Sequence, residues 1–331
     1  MSGLLFPLVT LACVVGLITP LLTLGLKGFF YIQRRYLKRW VSFGSNLNWT
    51  LIIAPSVLPI VWVSAASLSQ ALHPTVCLID SPSEVCFEDW FLSLSALLVL
   101  GLPTLQLWRT VRAQLPSVTE RDSEKLKALV DSHLILKNFC VRACSNPQYP
   151  VFTIGFWQPT IWIDACFLVE NDDDVVISAL LHEVEHARSR DPLRFFIAQA
   201  LLSINPARRW MQPELTRWHQ AREAACDLSA IHDGTPPLSL ALAILCAVKH
   251  RCVGEHHCIA TSHLCEPGFL SVRTRISLLN AYADASSPPP CERGNFVSFS
   301  LIIASTVVAA LYCEPSLLNT LHYMIEAHWL Q

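Results

Sequence analysis

Charge is scarce in this chain. Only 15% of its 331 residues are Asp, Glu, Lys or Arg, against about a quarter in an average soluble domain. The shortage is uneven. Met1 to Leu26, Trp49 to Leu72, Trp90 to Trp108 and Phe296 to Tyr312 contain no charged side chain at all. Apolar runs of this kind have the length of a bilayer crossing, about 20 residues, so four membrane spans are expected. No basic region precedes the first run, and the run is longer than a signal peptide's apolar segment, so an uncleaved span is expected rather than a cleaved signal peptide. Lys27, Arg34, Arg35, Lys38 and Arg39 follow it instead, placing that end on the cytoplasmic side. The segment from His73 to Asp89 lacks Lys and Arg but carries Asp80, Glu84, Glu88 and Asp89, which makes it exterior. It also holds Cys77 and Cys86, for which a disulfide and two free thiols both remain open. A net charge of −2 argues against direct nucleic-acid binding. Thirteen cysteines are many, yet they follow no small disulfide framework.

The expected organisation has three parts. Residues 1–110 hold three transmembrane helices, 111–295 a cytoplasmic domain, and 296–331 a fourth span with a short exterior tail. The polar region begins with a predicted amphipathic helix over Ser123 to Asn138. Two β-like segments follow, Pro150 to Gly155 and Thr160 to Ile163, divided by a turn at Gln158-Pro159. Cys140 and Cys144, at i and i+4, are expected as buried helix thiols. Further helices are expected over Asp174 to Arg188, Pro192 to Ile204, Glu214 to Ile231, Leu238 to Val248 and Ser271 to Leu279.

The chemistry gathers at Leu181-His182-Glu183-Val184-Glu185-His186. No Gly or Pro interrupts the run around it, and Asn171 to Asp174 supply a cap and negative charge at a helix N-terminus. On a helix, His182 and His186 project from one face and reach a single metal, the H-E-x-x-H arrangement of zinc peptidases. Glu183 then lies where a general base for water belongs. Two histidines leave such a site one protein ligand short. Arg222-Glu223-Ala224-Ala225-Cys226-Asp227 offers Glu223 as the third ligand and, one turn on, Asp227 as a partner for a ligand imidazole. Two imidazoles and a carboxylate favour Zn2+, one per chain. The strand ahead of the metal helix is a candidate edge for an extended peptide substrate, or simply a cover for the helix. A further group of His250, Cys252, His256, His257, Cys258, His263 and Cys265 lacks paired metal spacing. A second metal and an irregular polar loop are both open readings of it.

Taken in order, the motif set resembles a known family. It comprises three apolar runs, Thr153-Ile154-Gly155 with Pro159, His182 to His186 with Arg190-Asp191-Pro192, Asn205-Pro206, Arg222 to Asp227 and a last apolar run. Together these are similar to the membrane metallopeptidases of the BlaR/MecR type, β-lactam sensor-transducers that inactivate a repressor. The resemblance implies a multi-span α-helical membrane protein of the bacterial inner membrane. Its cytoplasmic domain would be a mainly helical α+β zincin-like (gluzincin) peptidase, with His182, His186 and Glu223 as ligands and Glu183 as base. It also implies a protein substrate such as a transcriptional repressor, and a separate sensor partner. About twenty residues follow the last apolar run, without a Ser-x-x-Lys nucleophile, so a penicillin-binding sensor domain is not expected. Two other functions stay open: a quality-control protease of membrane proteins, and a non-catalytic membrane sensor with a structural metal.

Overall fold

A computed structural model describes residues 14–36, 44–72, 119–145, 149–250, 261–263, 269–283 and 299–309, with isolated positions at 105, 107–109, 112 and 297. After a π-helical turn at Val14–Ile18 come helices α1 (Thr19–Tyr36) and α2 (Asn46–Leu72). Strand β1 (Thr119–Arg121) leads to α3 (Glu124–Ser132), a 3-10 turn at Leu136–Asn138, and strands β2 (Cys140–Ser145), β3 (Val151–Ile154) and β4 (Thr160–Asp164). Helices α4 (Ala165–Glu170), α5 (Asp173–Ser189), α6 (Asp191–Ser203), α7 (Arg208–His232) and α8 (Pro237–His250) follow, then β5 (Thr261–His263) and α9 (Phe269–Ala283). The result is mainly helical with one small mixed sheet.

The sheet runs β1-β2-β4-β3-β5. Only β2 and β4 are parallel; the remaining pairs are antiparallel. Gly155 makes the β3–β4 hairpin possible. Its φ is +113°, and a Cβ there would sit 2.9 Å from the Gln158 carbonyl oxygen, a backbone state that disfavours any side chain. Both β4, between β2 and β3, and β3, between β4 and β5, are interior strands, which disfavours the open-edge reading and leaves that of a cover for the metal helix. Cys140 and Cys144 are likewise strand residues, the first exposed and the second buried; their i, i+4 spacing does not by itself make a helix.

Helix α5 is the axis of the domain. Its acidic first turn, Asp173 and Asp174, suits the helix dipole, although Asp172 at the N-cap makes no side-chain capping bond. Burial extends round the whole helix. Val176, Leu180 and Val184 share one core with Ile161 and Ile163 of the sheet, Phe167 of α4, and Leu240, Ala243 and Ile244 of α8. A second cluster joins α1, α2, α6 and α7 through Phe30, Trp49, Ile52, Ile53, Phe195, Met211 and Trp218.

That second cluster corrects the membrane reading. Among the described residues no helix is long and apolar enough to cross a membrane. Helix α1 continues through Lys27, Arg34 and Arg35, and Arg34 pairs with the buried Glu214 of α7. Helix α2 opens on polar residues, and Asn48, Thr50 and Ser56 are buried beside its apolar side chains. Asn205 donates from the α6–α7 junction to Thr23 and Ser56 hydroxyls at 3.0 and 3.4 Å. These apolar runs therefore pack against other helices of the same chain. The expected third span lies almost wholly outside the described residues, and the described part of the fourth, 299–309, is short. The multi-span fold and the placement in a bacterial inner membrane rested on those spans and are not upheld. Cys77 and Cys86 also lie outside the described residues.

Candidate metal centre

Five elements build the site. Helix α5 presents His182, Glu183 and His186; α7 presents Glu223 and Asp227; β3 supplies Thr153; the start of α6 supplies Asp191; α9 supplies Arg275. His182, Glu183, His186 and Glu223 are completely buried.

The two imidazoles meet through their Nε2 atoms, 3.2 Å apart. Glu223 faces both, with Oε2 3.4 Å from His182 Nε2 and Oε1 3.3 Å from His186 Nε2. Ligand–metal bonds of about 2.0–2.2 Å in a tetrahedron set neighbouring donors about 3.3–3.6 Å apart. The spacing of these donors fits one small divalent ion. Their partners fit it as well. His186 Nδ1 lies 2.8 Å from Asp191 Oδ2, and His182 Nδ1 lies 2.9 Å from Asp227 Oδ1. The second contact is an ion-pair contact rather than a formed hydrogen bond. A carboxylate on each Nδ1 favours the tautomer that leaves Nε2 free to ligate. Glu223 Oε1 and Glu183 Oε1 are buried without a hydrogen-bond partner, the condition of donors awaiting a cation.

Glu183 is oriented from the sheet. The Thr153 hydroxyl donates to its Oε2 at 2.7 Å, while Oε1 has no hydrogen-bond partner; His182, Glu183 and His186 offer donor atoms all within 4.8 Å of one another. Burial raises the Glu183 carboxyl above its ordinary range, despite the lowering effect of the histidines and Thr153. A raised carboxyl is suited to accepting and returning a proton near neutrality. Burial also pushes Glu223 upward, but His186, His182 and Arg275 outweigh it and hold the carboxylate well below its usual range. Burial disfavours charge on His186. The Cys226 thiol, itself pushed up to about 12 by burial, is neutral near pH 7 and contributes no charge. Glu223 and Asp191 therefore account for the raised basicity of this imidazole.

The positioning of Asp191 depends on one residue. Arg190 ends α5 in the left-handed region (φ 53°), the only positive φ outside glycine among the described residues. Its N–H caps the Ala187 and His186 carbonyls, and the chain turns at once into α6 with Pro192 in its first turn, where a missing N–H costs nothing. This turn brings Asp191 back beneath His186. Arg222 fixes it there, donating to Asp191 Oδ2 at 2.8 Å and to Glu185 Oε1 at 2.7 Å. His186, Asp191 and Cys226 form a second group with possible metal donors. With the Arg222 guanidinium already on Asp191 Oδ2, we assign that group to the support of His186.

All five residues singled out from the sequence thus come together: His182, Glu183, His186, Glu223 and Asp227. The structure adds four residues to which sequence spacing assigns no role at the metal: Thr153, Asp191, Arg222 and Arg275. The histidine–cysteine group does not form a second centre among the described residues. His250 instead binds Asp164 at 2.8 Å and Glu170 at 3.4 Å, while Cys252, His256, His257, Cys258 and Cys265 lie outside them. Compared with known proteins, the chain matches no family model and no curated protein.

Proposed function

We propose that this chain is a zinc-dependent endopeptidase. The observation that carries the proposal is the convergence of two imidazole nitrogens and a carboxylate at 3.2–3.4 Å, with a buried carboxylate oxygen unengaged beside them. Two histidines and one glutamate are a catalytic ligand set, which leaves a position for water or substrate. When bound, zinc supplies Lewis acidity toward the scissile carbonyl and acidifies water. Glu183 takes the proton of the attacking water on Oε1 and returns it to the leaving amine. Thr153 keeps the other oxygen engaged, so the carboxylate cannot turn away. Asp191 and Asp227 hold the imidazoles in their ligating tautomer. The resemblance to BlaR/MecR peptidases extends the proposal to a protein substrate such as a transcriptional repressor.

A metal-holding protein without catalysis is the rival reading, and Glu183 separates the two: a structural ion would take it as a fourth ligand, whereas a catalytic ion leaves it to act as a base. The test measures zinc per chain and cleavage of labelled casein by wild type, Glu223→Ala and Glu183→Gln. Wild type is expected to bind one zinc, and Glu223→Ala to lose it. Glu183→Gln is expected to keep the ion while cleavage falls about 10²–10⁴-fold. Undiminished cleavage by Glu183→Gln would sink the proposal.

A further inference from the structure

Arg275 reaches the centre from α9, and it is 1% exposed. Its guanidinium binds the site's carboxylates, with Nε to Asp227 Oδ2 at 2.7 Å, Nη2 to Asp227 Oδ1 at 2.6 Å, and Nη1 to Glu223 Oε2 at 3.1 Å. One planar cation therefore grips the partner of His182 and one oxygen of the glutamate ligand. The two oxygens of Glu223 are consequently unlike. Oε2, 3.4 Å from His182 Nε2, is engaged by Arg275, whereas Oε1, 3.3 Å from His186 Nε2, has no hydrogen-bond partner.

We infer that Arg275 is a positioning residue that makes Glu223 ligate through Oε1 alone, keeping the remaining coordination position open for water and substrate. A free carboxylate can bind a metal through both oxygens, which adds a fifth ligand and crowds that position. A guanidinium fork prevents this because its donors are rigid and coplanar, and it holds Oε2 and Asp227 in one geometry. Simple charge balance predicts the opposite role. A buried cation this near should repel the ion, so its removal should not weaken metal binding. What removal changes is how the glutamate binds.

The inference rests on the reading of the site as a metal centre, and cobalt substitution separates the two. Wild type, Arg275→Met and Arg275→Lys are loaded with Co2+ in place of zinc. Metal per chain is counted, and the visible absorption of the cobalt, which weakens as coordination rises from four to five, is recorded. The expected result is one cobalt in each protein and a wild-type spectrum of the four-coordinate kind. Arg275→Met should show a fall in visible intensity of several-fold, and Arg275→Lys, which keeps one donor in place of the fork, an intermediate value. Cleavage by Arg275→Met should fall at least tenfold in kcat, with KM little changed. If wild type takes up no cobalt, the metal-centre reading fails and this inference with it. If wild type is loaded and both variants share its spectrum, the inference alone is overturned. Should Arg275→Met fail to fold, the Arg275→Lys spectrum decides, and identity with wild type refutes it.

Discussion

Arg222→Met tests whether the support beneath His186 is as electrostatic as its geometry indicates. Removing the guanidinium leaves Asp191 and Glu185 buried with fewer counter-charges. Breaking a buried ion pair from one side costs about 3–5 kcal/mol. Glu185 keeps Arg188 at 3.1 Å and the Ser189 and Ser229 hydroxyls at 2.6 and 3.1 Å, so most of the loss falls on Asp191. Asp191 retains His186 at 2.8 Å and a distant Arg194 at 3.7 Å. The expected loss therefore lies near the lower end, about 3 kcal/mol. Urea unfolding of the metal-free protein measures it, as a midpoint shift of about 1 M or more. The pH dependence adds a second check. Burial alone would raise both carboxyls, but Arg222 overrides it and holds Asp191 and Glu185 below their ordinary values of 3.8 and 4.5. A carboxyl depressed on folding stabilises the protein above its ordinary value, and that contribution fades as pH falls toward the depressed one. The gap between wild type and Arg222→Met should thus be widest near neutrality and close below about pH 4. Replacing all three charges (Glu185→Gln, Asp191→Asn, Arg222→Met) should recover most of the loss, because no uncompensated ion remains. A loss under about 1 kcal/mol for Arg222→Met, or a gap that widens in acid, would refute the reasoning.

Two further predictions address the sheet. Burial pushes the Cys144 thiol up to about 12, so at pH 8 only about one molecule in 10⁴ carries the reactive thiolate. Iodoacetamide should label the exposed Cys140 and Cys166 in the folded protein and spare Cys144, as read by peptide mass spectrometry; equal labelling would contradict the burial. Gly155→Ala combines a positive φ with a contact of 2.9 Å to backbone and should cost about 1–3 kcal/mol. Gly234→Ala, at φ +103° with open space around it, carries only the conformational part. Denaturation midpoints should rank Gly155→Ala as the more damaging, and the reverse order would show that the hairpin yields.

The parts of the site legible in the sequence are those that one helix repeats at short range. His182 and His186 share a face because they are four apart, and so do Glu223 and Asp227. Thr153, Asp191, Arg222 and Arg275 act through contacts that the fold creates. Asp191 is only five residues from His186, but its role depends on a left-handed Arg190 that no helical periodicity announces. The apolar runs misled for a different reason. Trp49, Ile52, Ile53 and Val57 would look the same facing lipid or facing Trp218 and Phe195, and composition does not distinguish the two surroundings. The i, i+4 cysteines suggested a helix, whereas Val141, Ala143 and their neighbours pair with β4.

The left-handed turn at Arg190 has a consequence for recognising distant relatives. Since it ties α5 to α6 without slack, the interval from His186 to Asp191 cannot gain or lose a residue without unseating the carboxylate. The motif that matters is therefore longer than H-E-x-x-H. It is a histidine pair followed at a fixed distance by Asp191, then Arg222-Glu223 with Asp227 one turn on, and lastly an arginine in the place of Arg275. Each added position is tied to a distance in the structure, so a chain that carries the short pattern but lacks Asp191 and Arg222 together should not be grouped with this one. Where overall similarity has faded, that spaced set of polar residues is what a search should follow.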